Sequence, residues 1–328
     1  MSSARRHHYV PQFYLRGFTR NGGKKSKLFA VDVVERRSYW TTPANVCAVR
    51  DFSRVEAPGL PPDALETSLS AFEARASRAL QTIIKDRSAR DSDAWMYVLN
   101  LMSLIAVRNP HVRSEMERFQ SDILKMISRM TVQSPERWDA TVKEMLRDGS
   151  IGEPPKVSYE QMKDFVAKGQ YTISFPHGYH TQAEFSGQDT VLRTLVDRKW
   201  LLLSVDRDQG EFITTDLPVC LMHTSGEPSS RPRPVGHGQL NTTVLFPISS
   251  DLLAMGSFEG QSGSAHANRK DVAAFNLALA MHCDSTVFAS TDRFNVADRD
   301  GDGFTFGADV LTRIVASPRR GRGRKPRP

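Results

Sequence analysis

Trp200-Leu-Leu-Leu-Ser-Val205, Glu211-Phe-Ile-Thr-Thr215, Thr242-Thr-Val-Leu-Phe246 and Leu252-Leu-Ala-Met-Gly-Ser257 decide the fold class. Each is short and rich in Leu, Val, Ile, Phe or Thr, and polar loops containing Gly and Pro, such as residues 225–238, separate them. That punctuation predicts strands of a mostly antiparallel sheet, because β-branched and aromatic side chains pack well on a pleated surface while Gly and Pro break it.

Upstream, residues 27–33 and 37–41 alternate around a polar break and predict a β-hairpin. The stretch between hairpin and sheet reads as helices. Asp63 with Glu66 three residues on starts a helix to about residue 85, with Leu65, Leu69, Phe72, Ala76 and Leu80 at helical spacing. Asp91 or Ser92 caps a second, which Asn109-Pro110 ends after Arg108. A third spans 111–130 with Met116, Phe119, Ile123, Ile127 and Met130 on one stripe, Ser134-Pro135-Glu136 opens a fourth, and 158–168 forms a fifth. Residues 190–198 and 268–282 are helix-like, 286–289 reads as a strand and 310–315 as a short last element. The expected architecture is α+β, with a helical layer from the central region packed against the sheet. Residues 1–292 form one domain, 293–316 an extension with an acidic loop, and 317–328 a disordered basic tail.

Bulk composition fits a folded globular chain, with 39% hydrophobic and 25% charged residues in 328. The formal charge is +7, but Arg319, Arg320, Arg322, Arg324, Lys325 and Arg327 carry six of those charges and leave +1 on the other 316 residues. A Pro, Gly and Arg tail cannot bury enough apolar surface to fold and attracts phosphates by counterion release, so RNA or DNA is the expected partner; a merely solubilising terminus is the other reading. Cys47, Cys220 and Cys283 are odd in number, widely spaced and set among apolar residues, as in a reducing cytoplasm. No signal-peptide core opens the chain, and the most apolar helical stretch, 95–107, is shorter than the roughly 20 residues of a membrane helix. A cytoplasmic protein with no membrane association is expected, its oligomeric state open. Walker A, GxGxxG, GxSxG and HExxH patterns are all absent.

The block His7-His8-Tyr9-Val10-Pro11-Gln12-Phe13-Tyr14-Leu15-Arg16-Gly17-Phe18 resembles the N-terminal signature of a mostly prokaryotic family catalogued as domain of unknown function 4238. Phe212-Ile-Thr-Thr-Asp216-Leu-Pro218-Val, Val244-Leu-Phe-Pro247-Ile-Ser and the helix holding Asn276 look like the same family. The resemblance implies a shared fold to about residue 292 and carries no activity with it. Where members more commonly read Asp-Asn-Pro, this chain has Asp216-Leu217-Pro218 and so lacks that amide.

Two histidines near a glutamine supply imidazoles for proton transfer or metal ligation and an amide to orient substrate. In an extended segment His7 and His8 point to opposite faces, which favours His8 with Gln12. Asp216 follows a strand and precedes a proline, either bonding turn backbone or, with Thr214 and Thr215, facing a cleft shared with His8 to bind a divalent ion or activate water. Arg108 would stabilise phosphate charge or simply interact with its own helix end, and Asn276 is a further candidate for substrate binding. Asp298, Asp300, Asp302 and Asp309 carry calcium-loop spacing, with Asp309 where a bidentate Glu is usual; a solvated acidic loop is the default. Together these point to a nuclease or other phosphodiesterase. The alternative is a non-catalytic nucleic-acid-binding or defence-associated accessory protein.

Overall fold

A computed structural model describes residues 6–52, 64–224, 235–297 and 304–307. The expected cap Asp63, the acidic loop with Asp298, Asp300, Asp302 and Asp309, the element at 310–315 and the basic residues Arg319, Arg320, Arg322, Arg324, Lys325 and Arg327 lie outside the described residues. In chain order the structure has β1 (Arg6–His8), α1 (Gln12–Leu15), a 3-10 turn (Arg16–Phe18), β2 (Leu28–Asp32), β3 (Arg37–Thr41), a second 3-10 turn (Pro43–Asn45) and β4 (Ala48–Arg50). Helices α2 (Ala64–Asp86), α3 (Ser92–Val107), α4 (Pro110–Thr131), α5 (Pro135–Arg147), α6 (Tyr159–Lys168) and α7 (His177–Val196) follow. The chain continues through β5 (Lys199–Ser204), β6 (Thr214–Thr215), β7 (Cys220–His223), β8 (Thr242–Ser249), β9 (Leu252–Ser257), β10 (Gly263–His266), α8 (Arg269–His282), β11 (Thr286–Ala289), β12 (Asn295–Ala297) and β13 (Phe304–Phe306). This is the expected α+β mixture, and no described helix is long and apolar enough to cross a membrane.

Contacts divide the chain into two compact units, one formed by residues up to Pro110 and from Thr181 onward, the other by His111–His180. The first holds two larger sheets. One has strand order β10-β5-β9-β8-β7, with only the β10–β5 pair parallel; the other has order β3-β2-β11-β6, all antiparallel. Side chains alternate across each strand, so the five-stranded sheet feeds two cores. Trp200, Leu202, Val244, Phe246, Ile248 and Ala254 join Ala76, Leu80 and Ile83 of α2 and Val98, Leu101, Met102 and Ile105 of α3. Leu203, Leu245 and Leu253 point the other way, into a core with Val31 and Val287 and with Val272 and Leu279 of α8. Burying each such side chain contributes about 1.5–3 kcal/mol.

Local chemistry explains most element ends. Asp91, the first of the two candidate caps, accepts from the backbone N–H of Asp93 and Ala94, while Ser134, Ser158 and Asn268 cap α5, α6 and α8. Helix α7 starts well before the expected residue 190, and β7 and β10 were not legible in their sequences. Residues 211–213 are not strand as expected: the N–H of Phe212 donates to the Ser250 carbonyl and that of Ile213 to Asn276 Oδ1, leaving Thr214–Thr215 as the only ladder. All three cysteines are buried, and none is in a disulfide among the described residues.

The second unit stands on polar and aromatic contacts. His180 Nε2 lies 2.8 Å from Glu117 Oε1, Gln120 Nε2 donates to Tyr179 Oη at 2.7 Å, and Tyr159 Oη donates to the Val132 carbonyl. Phe165 stacks on Tyr171. Neither α4 nor α5 contains a fully buried residue.

Candidate functional site

Strand β1 pairs antiparallel with β4, placing His7 opposite Val49 and His8 opposite Ala48. Alternation sends the two imidazoles to opposite faces, as the sequence requires: His7 is buried and His8 half-buried. The chain then bends at Tyr9 and Val10 and passes through an extended Pro11 into α1, which brings Gln12 Nε2 to 3.4 Å from His8 Nδ1. The other ring nitrogen, His8 Nε2, is buried and makes no well-formed hydrogen bond, although the Ala44 and Pro43 backbone lies close enough to act on the ring. Burial depresses the His8 pKa, and Arg6 adds to this, against the opposing effects of the Ala44 and Pro43 backbone and of Glu66. Imidazole therefore favours its neutral form, and the orientation of the Gln12 amide selects which nitrogen carries the proton.

Two carboxylates of α2 belong to the same neighbourhood. Glu66 and Glu73 are seven residues apart, hence on one helix face. Burial pushes the Glu73 carboxyl up to about 7, with Glu66 adding to the rise and Arg108 opposing it. Arg108 closes α3 and is itself enclosed, its Nε 3.7 Å from Glu184 Oε2 of α7 and its guanidinium 5.5 Å from the Phe52 ring centroid. Phe52 packs edge-on against Tyr9, the neighbour of His8. Ring contacts thus join Tyr9, Phe52 and Arg108, and through-space charge effects connect Arg108, Glu73, Glu66 and His8, all within one unit of the molecule.

Tyr9 also links this group to the turn after β6. Its N–H donates to the Cys47 carbonyl, and its phenol, kept protonated chiefly by burial, feels the Cys47 thiol and the carboxylates of Asp216 and Asp284. Asn109 Nδ2 donates to the Asp216 carbonyl at 2.8 Å. The opening strand, the end of α3 and the Asp216 turn are therefore near neighbours, yet Asp216 faces backbone. Its Oδ1 accepts from the N–H of Asp284 (2.9 Å), and its Oδ2 from the N–H of Ser285 (2.7 Å), the Ser285 hydroxyl (2.6 Å) and the N–H of Thr286 (3.1 Å). Burial nevertheless raises the carboxyl to about 6.

The remaining candidates are also engaged. Thr214 Oγ1 shares a 2.7 Å hydrogen bond with Tyr14 Oη, which donates to the Pro247 carbonyl where β8 slips register. Thr215 Oγ1 accepts from the Leu217 N–H. Asn276 is fully buried, accepting from Ile213 N–H and donating to the Glu211 and Asn295 carbonyls. Among the described residues no group of three or more His, Cys, Asp or Glu side chains could hold a metal ion.

Sequence reasoning missed Glu73, Glu184 and Phe52, and took Glu66 only for a helix cap. The seven-residue spacing of Glu66 and Glu73 was a usable signal; nothing in the sequence pairs Glu184 with Arg108.

Residues 6–293 match the family described as Protein of unknown function (DUF4238). The chain belongs to that family. Almost the whole site of this DUF4238 protein falls inside the matched span, from His8 in the opening strand to Asp284 beside Asp216. No curated protein and no solved structure matches the chain.

Proposed function

We propose that this DUF4238 protein is a hydrolase of phosphodiester bonds in nucleic acid, with His8 and Glu73 as its acid–base pair. The observation that carries the reading is the half-buried, neutral-leaning His8 ring, held through Nδ1 by Gln12 and with Nε2 enclosed beside the Pro43–Ala44 backbone without a well-formed hydrogen bond. Once substrate binding opens a path to Nε2, an imidazole in that condition is suited to take a proton from attacking water. Glu73, with its carboxyl near 7, is in part protonated at neutral pH and suited to protonate a leaving oxygen. Arg108 is too enclosed to clasp a phosphate directly and acts by lowering the cost of ionising Glu73. The polycationic tail at 317–328 supplies the reason to favour nucleic acid over other esters.

The test is cleavage of labelled RNA and DNA by the wild type, His8→Ala and Glu73→Gln, each with Mg²⁺, Mn²⁺ or EDTA. Loss of about 10²–10⁴-fold in the His8 variant is expected. The wild-type rate should rise with pH as His8 loses its proton below the ordinary histidine range, and fall as Glu73 ionises around 7. Wild-type protein that cuts neither polymer under any condition, or a His8→Ala variant as fast as wild type, removes the proposal.

A second reading is a non-catalytic nucleic-acid binder acting through the tail. The complete engagement of Asp216, Thr214, Thr215 and Asn276 in structural hydrogen bonds favours it. Deleting residues 317–328 should then abolish binding, removing a salt slope of up to about −5 in log K against log salt if all six cations contact duplex phosphates.

A further inference from the structure

Helix α4 presents an apolar face that its own unit leaves uncovered. Met116, Phe119, Met126 and Met130 are 45%, 62%, 54% and 52% exposed, and Val112 and Ile123 are partly exposed. Those six positions, 112, 116, 119, 123, 126 and 130, are spaced by alternating steps of four and three, the spacing of a coiled-coil seam. A different face of the same helix, bearing Glu117 and Gln120, makes the contacts to His180 and Tyr179 within the unit. Elsewhere in globular proteins a contiguous stripe of this size marks an interaction site.

The charges flanking the seam distinguish what would cover it. Set against a second α4 running antiparallel, the stripe is its own complement: Val112 meets Met130, Met116 meets Met126 and Phe119 meets Ile123, each pairing occurring twice about the dyad. In that register Glu115 of each copy lies beside Arg129 of the other. Among the described residues Glu115 otherwise pairs with Arg118 of its own helix, an exposed contact that competes weakly. A parallel arrangement would set Glu115 beside Gln120 and Asp122 beside Ile127, with no opposite charges meeting. We infer that α4 is a homodimerisation helix, pairing antiparallel with α4 of a second copy of this chain through the seam from Val112 to Met130.

The seam is about 27 Å long at 1.5 Å per residue, so a single helix pair places the dimer at the weaker end of specific interfaces. Asp122 meets its own copy near the dyad, a like-charge contact that keeps the association reversible.

Sedimentation equilibrium of the full chain from about 1 to 200 µM tests this. The wild type should pass from monomer to dimer with rising concentration. Phe119→Glu should weaken the dimer by about 30-fold or more, with unchanged circular dichroism because the side chain is exposed. Glu115→Arg and Arg129→Glu should each weaken association, while the double variant restores it, and Asp122→Asn should strengthen it. A chain that stays monomeric throughout, a dimer indifferent to Phe119→Glu, or a double charge swap no better than either single one overturns the inference; a monomer would assign the stripe to a different protein.

Discussion

Asp216→Ala is the substitution that most sharply separates a structural carboxylate from a chemical one. The native side chain satisfies three backbone N–H groups, of Asp284, Ser285 and Thr286, plus the Ser285 hydroxyl, in a place where it is only 3% exposed. Removing the acceptor strands those donors at about 1–3 kcal/mol each, less what water recovers in the vacated space, for a net loss of about 3–5 kcal/mol. That is a large share of a typical total of about 5–15 kcal/mol. The pH dependence has a definite sign. Because the folded carboxyl is raised to about 6 from an ordinary 3.8, its stabilising contribution is full below about pH 4 and is lost as pH rises through 6. The variant lacks this dependence, so its deficit against wild type narrows by roughly 1.5 kcal/mol between pH 5 and pH 8. Urea unfolding at the two pH values measures the deficit, and amide hydrogen exchange at residues 284–286 localises it independently of whether the two units unfold together. A deficit under about 1 kcal/mol at pH 5, with those amides exchanging at wild-type rates, refutes the clamp. Full stability with lost cleavage would return Asp216 to the chemistry.

Two further outcomes follow from buried polar groups. Glu73→Gln should be more stable than wild type at pH 8 and no more stable at pH 5: the raised carboxyl favours folding while protonated and loses that contribution as pH climbs through about 7. Thermal melts at both pH values read this, and an equal effect at the two would rule it out. Asn276→Ala should destabilise by about 2–4 kcal/mol, since it orphans the Ile213 N–H and the Glu211 and Asn295 carbonyls in a site with no solvent exposure. A circular-dichroism melt unchanged from wild type would contradict that.

The fold was legible wherever local chemistry and burial agree. Asp91, Ser134 and Asn268 announce helices because an oxygen side chain at the first turn satisfies backbone N–H groups that have no other partner. Strand β7 escaped notice because Cys220-Leu-Met-His223 has neither alternation nor β-branched residues, and only its ladder with β8 makes it a strand. Helix α7 was read too short because its first half, His177-Gly-Tyr-His-Thr-Gln, mixes Gly with polar residues and shows no apolar stripe. At the site, His8 and Gln12 were recognisable since their contact is local, between residues four apart in sequence. Glu73, Phe52 and Glu184 owe their roles to neighbours distant in sequence, and for Asp216 the sequence offered a backbone-bonding role without revealing that the backbone is the distant loop at 284–286.

Tyr14 donates to a carbonyl 233 residues further along the chain. The segment that carries His8 and Gln12 is thus synthesised well before the strand that anchors it. At about 5–20 residues per second a ribosome needs roughly 12 to 45 s to supply the strand that receives it. For that interval the aromatic segment lacks its anchor and is open to chaperones and proteases, so a slower ribosome should lower the yield of folded protein without altering the stability of what does fold.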